Sequence, residues 1–372
     1  FSCHPRAFLG WIPVDIILVL GSLILFLVAP WISMDGVFLT VISVICVAMG
    51  IMAFIVAWKQ FFCYEEFIDP LFKEKNSQNV IGTIPAKGER KRVILFGGHH
   101  DSALEYNLLR YFKGPGYALF IIWGFGILFL SLIGFVVAIF VFPSAMDASW
   151  LFTFFSWVFF LGLPPMFALS IFTFPGKKAN QVPGAVDNLS AVAVVLGVGR
   201  WIKRHKDQIP EDIEIRLVSF GCEEAGLRGS RRYAKRHIDE LDGLNAELVN
   251  MDGVQSAENI TLMAYEPTTR TQNSPEVSQK VKLAGEEHGM KIWVFGERAA
   301  HKLIGFFTGG TDAAAFSKAG LKATTFGSLD ASSYIKFYHT HKDTADKIEP
   351  GALEGGLKIC LQYLLNEGKD AS

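Results

Sequence analysis

Acidic and histidine side chains follow the apolar, strand-like runs of this 372-residue chain or begin its helices. In open α/β sheets, binding groups gather just beyond the carboxyl ends of the strands. Histidine nitrogens and carboxylate oxygens are also the ligands that zinc takes. Taken singly, each residue has an ordinary explanation, such as a helix N-cap for Asp187 or a solvated loop for Glu223 and Glu224. Their shared position favours one metal site, and the set is His99, Asp101, Asp187, Glu223, Glu224, Asp252 and His339.

Strand and helix patterns alternate in the part of the chain that carries these residues. The strands are expected at 79–84, 92–96, 213–220, 247–251, 260–264, 291–295 and 321–326. The helices are expected at 190–205, 225–238, 275–288, 312–319 and 351–365. Such alternation is typical of an α/β sheet with helices on both faces.

The rest of the chain is far more apolar. The chain is 51% hydrophobic and 19% charged, with a mean hydropathy of +0.31. The apolar residues concentrate in four uncharged or nearly uncharged stretches, at about 16–34, 36–58, 114–146 and 148–176. Each is long enough to cross a bilayer, which takes roughly 20 apolar residues. We therefore predict four transmembrane α-helices in an integral, multi-pass membrane protein whose partners include the lipid bilayer.

The basic residues indicate which side of the membrane holds the polar domain. Lysine and arginine lie at the ends of the stretches that face the polar sequence, as with Arg6, Lys59, Arg110 and Lys113. The two tight connections, at about 33–36 and 143–149, have no basic residue. The positive-inside rule then predicts a cytoplasmic polar domain. Five scattered cysteines without metal-type spacing are expected to be unpaired thiols, in agreement with a reducing compartment.

Several motifs, taken together, resemble the M28 family of zinc exopeptidases. They are Asn79–Ile84, Gly-Gly-His99-His-Asp101-Ser, Gly-Ala-Val-Asp187-Asn, Glu223-Glu224-Ala-Gly-Leu-Arg-Gly-Ser230, Asn250-Met-Asp252 and Tyr338-His339-Thr-His-Lys-Asp343-Thr. The resemblance implies a three-layer α/β/α zinc-exopeptidase sandwich with a mixed sheet, formed by 60–113 and 177–372. Residues 1–59 would form one transmembrane hairpin and 114–176 a second, inserted one.

The resemblance also implies two zinc ions per chain. Asp187 would bridge them, His99 and Asp252 would complete the first site, and Glu224 and His339 would complete the second. Insertion of a membrane hairpin between His99 and Asp187 is a departure from the family pattern. Because both residues must reach one centre, the insert has to return to the side it left, and an even number of spans does so.

Three further roles follow from the resemblance. Glu223 would be the general base that takes a proton from a zinc-bridging water, and Asp101 would orient His99. Tyr338 is similar to an oxyanion-stabilising tyrosine of some members. The segment Phe295–Gly310 is expected to border the pocket that selects the substrate side chain.

The function predicted from these features is a membrane-embedded aminopeptidase that hydrolyses the N-terminal bond of peptide substrates. A glutaminyl cyclase-like enzyme is an alternative, although such enzymes use one zinc and typically lack the first histidine. A non-catalytic scaffold or receptor is another, although every ligand and Glu223 are retained here. A transporter is disfavoured because the spans contain almost no ionisable residue. The net charge of −1 offers no field for nucleic acid, and an oligomer is compatible with the sequence but not indicated by it.

Overall fold

The computed structural model describes residues 1–144, 146–172, 181–296, 298 and 309–369, which group into two compact units. The α/β unit comprises 1–5, 73–104 and the described residues from 181 onward. The helical unit comprises 6–72 and the described residues of 105–172. The segments 60–72 and 105–113 therefore fold with the helices, whereas the sequence analysis assigned them to the α/β domain.

A seven-stranded mixed sheet forms the centre of the α/β unit in the described residues. Its strands are β3 (Val80–Ile84), β4 (Arg92–His99), β5 (Ile213–Phe220), β6 (Glu247–Val254), β7 (Ile260–Met263), β10 (Ile292–Phe295) and β11 (Lys322–Ser328). Their order is β10-β7-β11-β6-β4-β5-β3. The central strands β11, β6, β4 and β5 are parallel, so their carboxyl ends share one edge. The edge strand β3 runs antiparallel to β5, and at the other end β10 and β7 are parallel to each other, with β7 antiparallel to β11.

Helices cover both faces of this sheet. On β4, Ile94 and Phe96 point into one apolar core while Val93 and Leu95 point into the other, as the two-residue period of a strand requires. The first core is covered by α5 (Ser190–Arg204), α7 (Pro275–Glu286) and α10 (Ala352–Lys369). The second is covered by α6 (Arg228–Gly243) and α8 (Asp312–Lys318). The predicted α/β/α sandwich with a mixed sheet is confirmed.

Smaller elements complete this unit. Strand β1 (Ser2–Cys3) pairs with β2 (Lys75–Asn76), and β8 (Tyr265–Glu266) pairs with β9 (Thr271–Gln272). A short helix, α9 (Ala331–Tyr334), follows β11. All five cysteines are free thiols, as expected, although the Sγ atoms of Cys3 and Cys222 lie only 2.6 Å apart.

A buried charge network fixes the amino-terminal edge of the sheet to its helices. Glu247, the first residue of β6, is fully buried and accepts a hydrogen bond from Lys280 of α7 at 2.7 Å. Tyr363 of α10 donates its hydroxyl to the same carboxylate, and Arg92 of β4 lies 3.5 Å from it. Because the carboxylate has no access to water, these donors replace its hydration.

The described residues of the helical unit include four long helices, which pack together as a four-helix bundle. They are α1 (Trp11–Ile32), α2 (Gly36–Ala57), α3 (Asn107–Val141) and α4 (Ser149–Ser170). Helix α1 packs on α2 and α4, and α3 packs on α2 and α4. Inside the bundle, the aromatic ring of Phe155 packs against those of Phe26 and Phe135. The centroid of the Phe155 ring lies 4.2 Å from that of Phe26 and 4.6 Å from that of Phe135. The close approach requires Gly134, where a Cβ would lie 2.7 Å from the Phe155 ring.

The outer surface of the four-helix bundle is apolar as well. Large apolar side chains are exposed along every helix, including Ile24, Ile45, Ile122, Ile133 and Trp157. A helix that is apolar on all sides suits a lipid environment. Helix α3 is interrupted at Lys113, where φ is 61°, so its apolar part begins where the sequence predicted, at Gly114.

Five helical segments of the described chain are long and apolar enough to cross a membrane. Four coincide with α1 to α4, which agrees with the four predicted spans and indicates membrane association. The fifth, Ala185–Arg204, contains α5. We assign it to the α/β unit because Val194 and Val198 are buried in the core against the sheet.

We expect Glu247→Ala to lower the free energy of unfolding of the α/β unit by about 3 kcal/mol, because Lys280 and Arg92 would lose a fully buried acceptor and keep Glu367 as their remaining buried partner. Glu276→Ala is the matched control, because this half-exposed glutamate pairs with Lys280 and Lys322 at the surface. Its cost should stay below about 1 kcal/mol. Denaturant titration of both variants measures the difference, and equal costs would contradict the assignment.

Candidate metal centre

The predicted site residues lie at the carboxyl edge of the central parallel strands. His99 ends β4, Glu223 and Glu224 follow β5, and Asp252 lies two residues before the end of β6. Asp187 precedes α5, whose first turn packs directly on β4. Gly98 permits this contact, because a Cβ there would lie 2.6 Å from the Cβ of Ala191. The fold thereby brings Asp187 beside His99, although 87 residues lie between them in the sequence.

Asp187 lies between the two histidines, with one carboxylate oxygen facing each. Its Oδ1 is 3.2 Å from His99 Nε2, and its Oδ2 is 3.1 Å from His339 Nε2. All three side chains are buried. A carboxylate that presents its two oxygens to two separate nitrogen ligands has the arrangement needed to bridge two cations.

The remaining acidic side chains surround this axis. Glu224 Oε1 lies 3.2 Å from His339 Nε2, while Asp252 Oδ1 and Glu223 Oε2 lie 3.9 and 3.7 Å from His99 Nε2. The tightest groups of ligand atoms are His99 with Asp187 and Glu224, and His99 with Glu223 and Asp252. The structure therefore brings together all five predicted ligands and Glu223.

The electrostatics of the cluster indicate a deficit of positive charge. Burial, reinforced by neighbouring carboxylates, raises the pKa of Glu223 and of Asp252 well above their usual values. Burial acts to lower the pKa of His339, but Glu224 and Asp187 outweigh it and raise the pKa to about 10. His99 shows the same balance, with Glu223 and Asp187 among the groups that raise its pKa. A cluster with this excess of acidic side chains favours the binding of a cation.

Two buried ligand atoms also lack a hydrogen bond within the described part of the chain, His99 Nε2 and Glu224 Oε1. The other ring nitrogen of His99, Nδ1, lies 3.0 Å from the backbone oxygen of Asp101. Because a carbonyl oxygen accepts only, Nδ1 carries the proton and Nε2 keeps its lone pair for a metal. The donor set, its burial and its excess of carboxylates all fit zinc.

The side chain of Asp101 makes contacts other than the predicted one with His99. Its carboxylate accepts hydrogen bonds from the backbone N–H groups of Glu223 at 3.0 Å and Glu224 at 3.1 Å. The distance from its Oδ1 to His99 Nδ1 is 3.7 Å, longer than a hydrogen bond. Asp101 thus orients His99 through its backbone oxygen, while its side chain holds the loop of the two glutamates.

Two tyrosines approach the cluster, one helical turn apart. The ring of Tyr338, the predicted oxyanion residue, stacks on the imidazole of His339 with centroids 3.7 Å apart. Tyr334, which the sequence analysis did not single out, donates its hydroxyl to Asp187 Oδ2 at 3.0 Å. Burial raises the pKa of Tyr334 well above its usual value, so it remains a donor.

Backbone hydrogen bonds fix the loop that carries Asp187. The buried carboxylate of Asp343 accepts from the N–H groups of Val186 at 2.8 Å and Asp187 at 3.1 Å. Asn188 joins the loop to the end of β6 by donating to the Met251 oxygen and accepting from the Gly253 N–H. These bonds set the distance between Asp187 and Asp252.

Asp312, at the start of α8, is a further buried acid that the sequence analysis missed. Burial raises its pKa to about 7, and its charge contributes to the raised pKa values of Glu223 and Asp252. Its sequence signal was its position after Gly-Gly-Thr at the beginning of a predicted helix, which is also typical of an ordinary helix start.

Comparison with known proteins agrees with this geometry. The model of the family described as Peptidase family M28 matches residues 172–364, more than half of the chain. The chain belongs to peptidase family M28. It is also 30% identical over 181 residues to aminopeptidase YwaD of Bacillus subtilis (strain 168), a match that covers 46% of this chain and 35% of that protein.

Solved structures also match this chain, at lower identity. The aminopeptidase from Aneurinibacillus sp. strain AM-1 is 18% identical, with a TM-score of 0.45 over 80% of this chain and 48% of its own. BSAP, a zinc aminopeptidase from Bacillus subtilis, is 18% identical, with a TM-score of 0.47 over 81% of this chain and 51% of its own. This M28 chain thus spans about a third of its curated relative and about half of these structures.

The predicted specificity segment of this M28 chain, Phe295–Gly310, is described only in part. Residues 297 and 299–308 lie outside the described residues.

We expect Asp343→Ala to lower the zinc affinity of this M28 chain about 10- to 100-fold, the range seen when a hydrogen bond behind a metal ligand is removed. The N–H groups of Val186 and Asp187 would lose their acceptor, and the Asp187 carboxylate would lose its fixed position. Asp346→Ala is the control, because Asp346 is exposed and pairs with its neighbour Lys347. Competition with a chelator measures both affinities, and equal retention of zinc would contradict the role of Asp343.

Proposed function

We propose that this chain is a membrane-embedded, zinc-dependent aminopeptidase that removes residues from the free amino terminus of peptides. The observation that carries the proposal is Asp187, whose two oxygens face His99 and His339 at 3.2 and 3.1 Å while Glu223 lies alongside. Membership of family M28 and the match to aminopeptidase YwaD support it.

In the proposed centre, His99, Asp187 and Asp252 hold one zinc ion, and Asp187, Glu224 and His339 hold the other. When bound, such a pair lowers the pKa of a water molecule and polarises the carbonyl of the scissile bond. The chain itself supplies the orientation of the ligands, the exclusion of bulk water and the group that moves the proton.

Glu223 is the proposed proton carrier. Burial is the largest cause of its raised pKa, followed by the charge of neighbouring acids. A general base with a raised pKa can take a proton from the attacking water and return it to the leaving amine. Its neighbour Glu224, with Oε1 directed at His339, takes the role of ligand. The N–H groups of both glutamates are held by one carboxylate, that of Asp101, which fixes their different directions.

The activity is tested with Glu223→Gln and Glu224→Gln as a matched pair of isosteric variants. Glu223→Gln should keep both zinc ions and lower kcat by about 10²- to 10⁴-fold, the contribution of a general base. Glu224→Gln should lose zinc as well as activity. Metal content and the cleavage of free-amino-terminal peptides and their N-acetylated counterparts are measured for both variants and the wild type.

The outcomes separate the candidate functions. Cleavage of free-amino-terminal peptides only, with the expected behaviour of both variants, supports the aminopeptidase. Cyclisation of N-terminal glutamine without peptide cleavage would replace it by a glutaminyl cyclase-like enzyme. A wild-type chain that binds no zinc and cleaves nothing would favour a scaffold.

The proposal also assigns the helical unit to the bilayer and the α/β unit to its cytoplasmic side. It rests on the basic residues that flank α1 to α4 on the side of the polar sequence, and on their absence from the connections at 33–36 and 143–149. Free rather than disulfide-bonded cysteines agree with that compartment.

The orientation is tested by labelling single cysteines with a membrane-impermeant maleimide in sealed vesicles of known orientation. Met34→Cys and Met146→Cys place thiols on exposed residues of the two connections, and Asp346→Cys places one on the α/β unit. The first two should react from the side opposite to the third. Labelling of all three from one side would refute the topology.

A further inference from the structure

A cavity opens between helices α1, α3 and α4, entirely within the helical unit. It contains about 450 Å³ of empty space, its open mouth included. Most of its walls are aliphatic and aromatic side chains, such as Ile16, Val19 and Leu128, with Gly124 forming part of the α3 wall. Its lining is therefore suited to a hydrocarbon body.

Two polar groups interrupt this apolar lining. Asp15 and Trp11 both line the cavity and are 8% and 7% exposed. They lie four residues apart on α1, so they belong to one face of that helix. No other residue that lines the cavity in the described chain carries a charged, hydroxyl or amide side chain.

Neither group finds a partner within the described part of the chain. Asp15 Oδ1 and Trp11 Nε1 are both buried without a hydrogen bond. An unmet buried polar group costs about 1 to 3 kcal/mol, and an ionisable one inside a membrane unit marks a functional site by default. The pair is complementary, since the carboxylate oxygen accepts and the indole N–H donates.

We propose that this cavity binds a neutral amphiphile whose polar end is a hydroxyl group. A hydroxyl both donates and accepts, so one oxygen can donate to Asp15 and accept from Trp11. An ammonium group only donates and would leave the indole N–H unmet. An ionised carboxylate only accepts and would leave the acceptor Asp15 Oδ1 unmet.

The position of the pair on α1 agrees with such a ligand. Trp11 is the first residue of α1, and tryptophan at the end of a membrane helix marks the interface between lipid and water. The hydroxyl would lie near the depth of lipid headgroups and the hydrocarbon part would extend along the apolar walls.

The proposal is tested on the full chain in detergent, with hexadecanol that carries a photoreactive diazirine in its alkyl chain. Irradiation should label peptides of α1, α3 or α4 that line the cavity. Unlabelled hexadecanol should compete, whereas hexadecane, hexadecylamine and hexadecanoate should compete at least tenfold less well.

Two conservative variants with matched controls assign the polar contacts. Trp11→Phe and Asp15→Leu should each weaken binding about three- to tenfold, the loss of one hydrogen bond. Trp31→Phe and Asp35→Asn are the controls, because both residues are exposed at the far end of α1 and in the connection that follows it. Their affinities should match that of the wild type.

A steric variant provides a second measurement. Gly124→Leu fills the cavity and should abolish labelling, whereas Gly126→Leu, at a position where a Cβ meets nothing within 4 Å, should leave it unchanged. Thermal unfolding without ligand verifies that each variant folds, and stabilisation by hexadecanol gives the affinity without photochemistry.

The contrary outcomes are distinct. Equal competition by hexadecane would reduce the cavity to a gap filled by lipid chains. Stronger competition by hexadecylamine or hexadecanoate would replace the hydroxyl by a charged head group. No stabilisation by hexadecanol, with wild-type behaviour of Trp11→Phe and Asp15→Leu, would leave a bound water as the partner of both groups and overturn the proposal.

Discussion

The centre of the α/β unit depends on the burial of several carboxylates with only two imidazoles to balance them. The buried Asp187 and Glu223 and the partly exposed Glu224 and Asp252 meet where the central parallel strands end, and water screens their repulsion only weakly. The surrounding structure counteracts this repulsion with backbone N–H groups and fixed loops. Two further carboxylates, Asp101 and Asp343, serve this purpose, since each accepts two consecutive backbone N–H groups from the loop of a site residue.

The two units solve the burial of apolar surface in different ways. In the α/β unit, alternate residues of each strand divide the apolar surface between two covered faces, and the outer side of α6 is charged. In the helical unit, the interior and much of the exterior are apolar, so the bundle of α1 to α4 suits a lipid environment. In lipid, the hydrophobic effect does not drive helices together. The packing of the bundle then depends on van der Waals contacts such as those of Phe155 with Phe26, Phe135 and Gly134.

The sequence predicted the order and nature of the elements well, because strand and helix periods are local properties. The seven strands of the main sheet lie within a few residues of their expected positions, although β4 continues to His99 through Gly97 and Gly98, which weaken a strand pattern. The choice between Tyr334 and Tyr338 was not predictable, because both lie on one short turn whose direction is fixed by tertiary packing. The contact between the Asp101 carboxylate and the glutamate loop, and the approach of Asp312, likewise depend on distant segments. The polar pair at Trp11 and Asp15 becomes apparent only when α3 and α4 complete the wall around it.

The alternation of the two units along the chain sets an order on biosynthesis. Residues 6–72 and 105–172 belong to the helical unit, and His99 is synthesised between them. Asp187 follows the second helical pair, and His339 is among the last residues before the final helix α10. Since a ribosome releases the chain from its amino terminus, the first ligand must wait for the membrane segments and then for most of the sheet. The cluster of acidic and histidine side chains therefore cannot assemble until translation is nearly finished and both helical pairs have been synthesised.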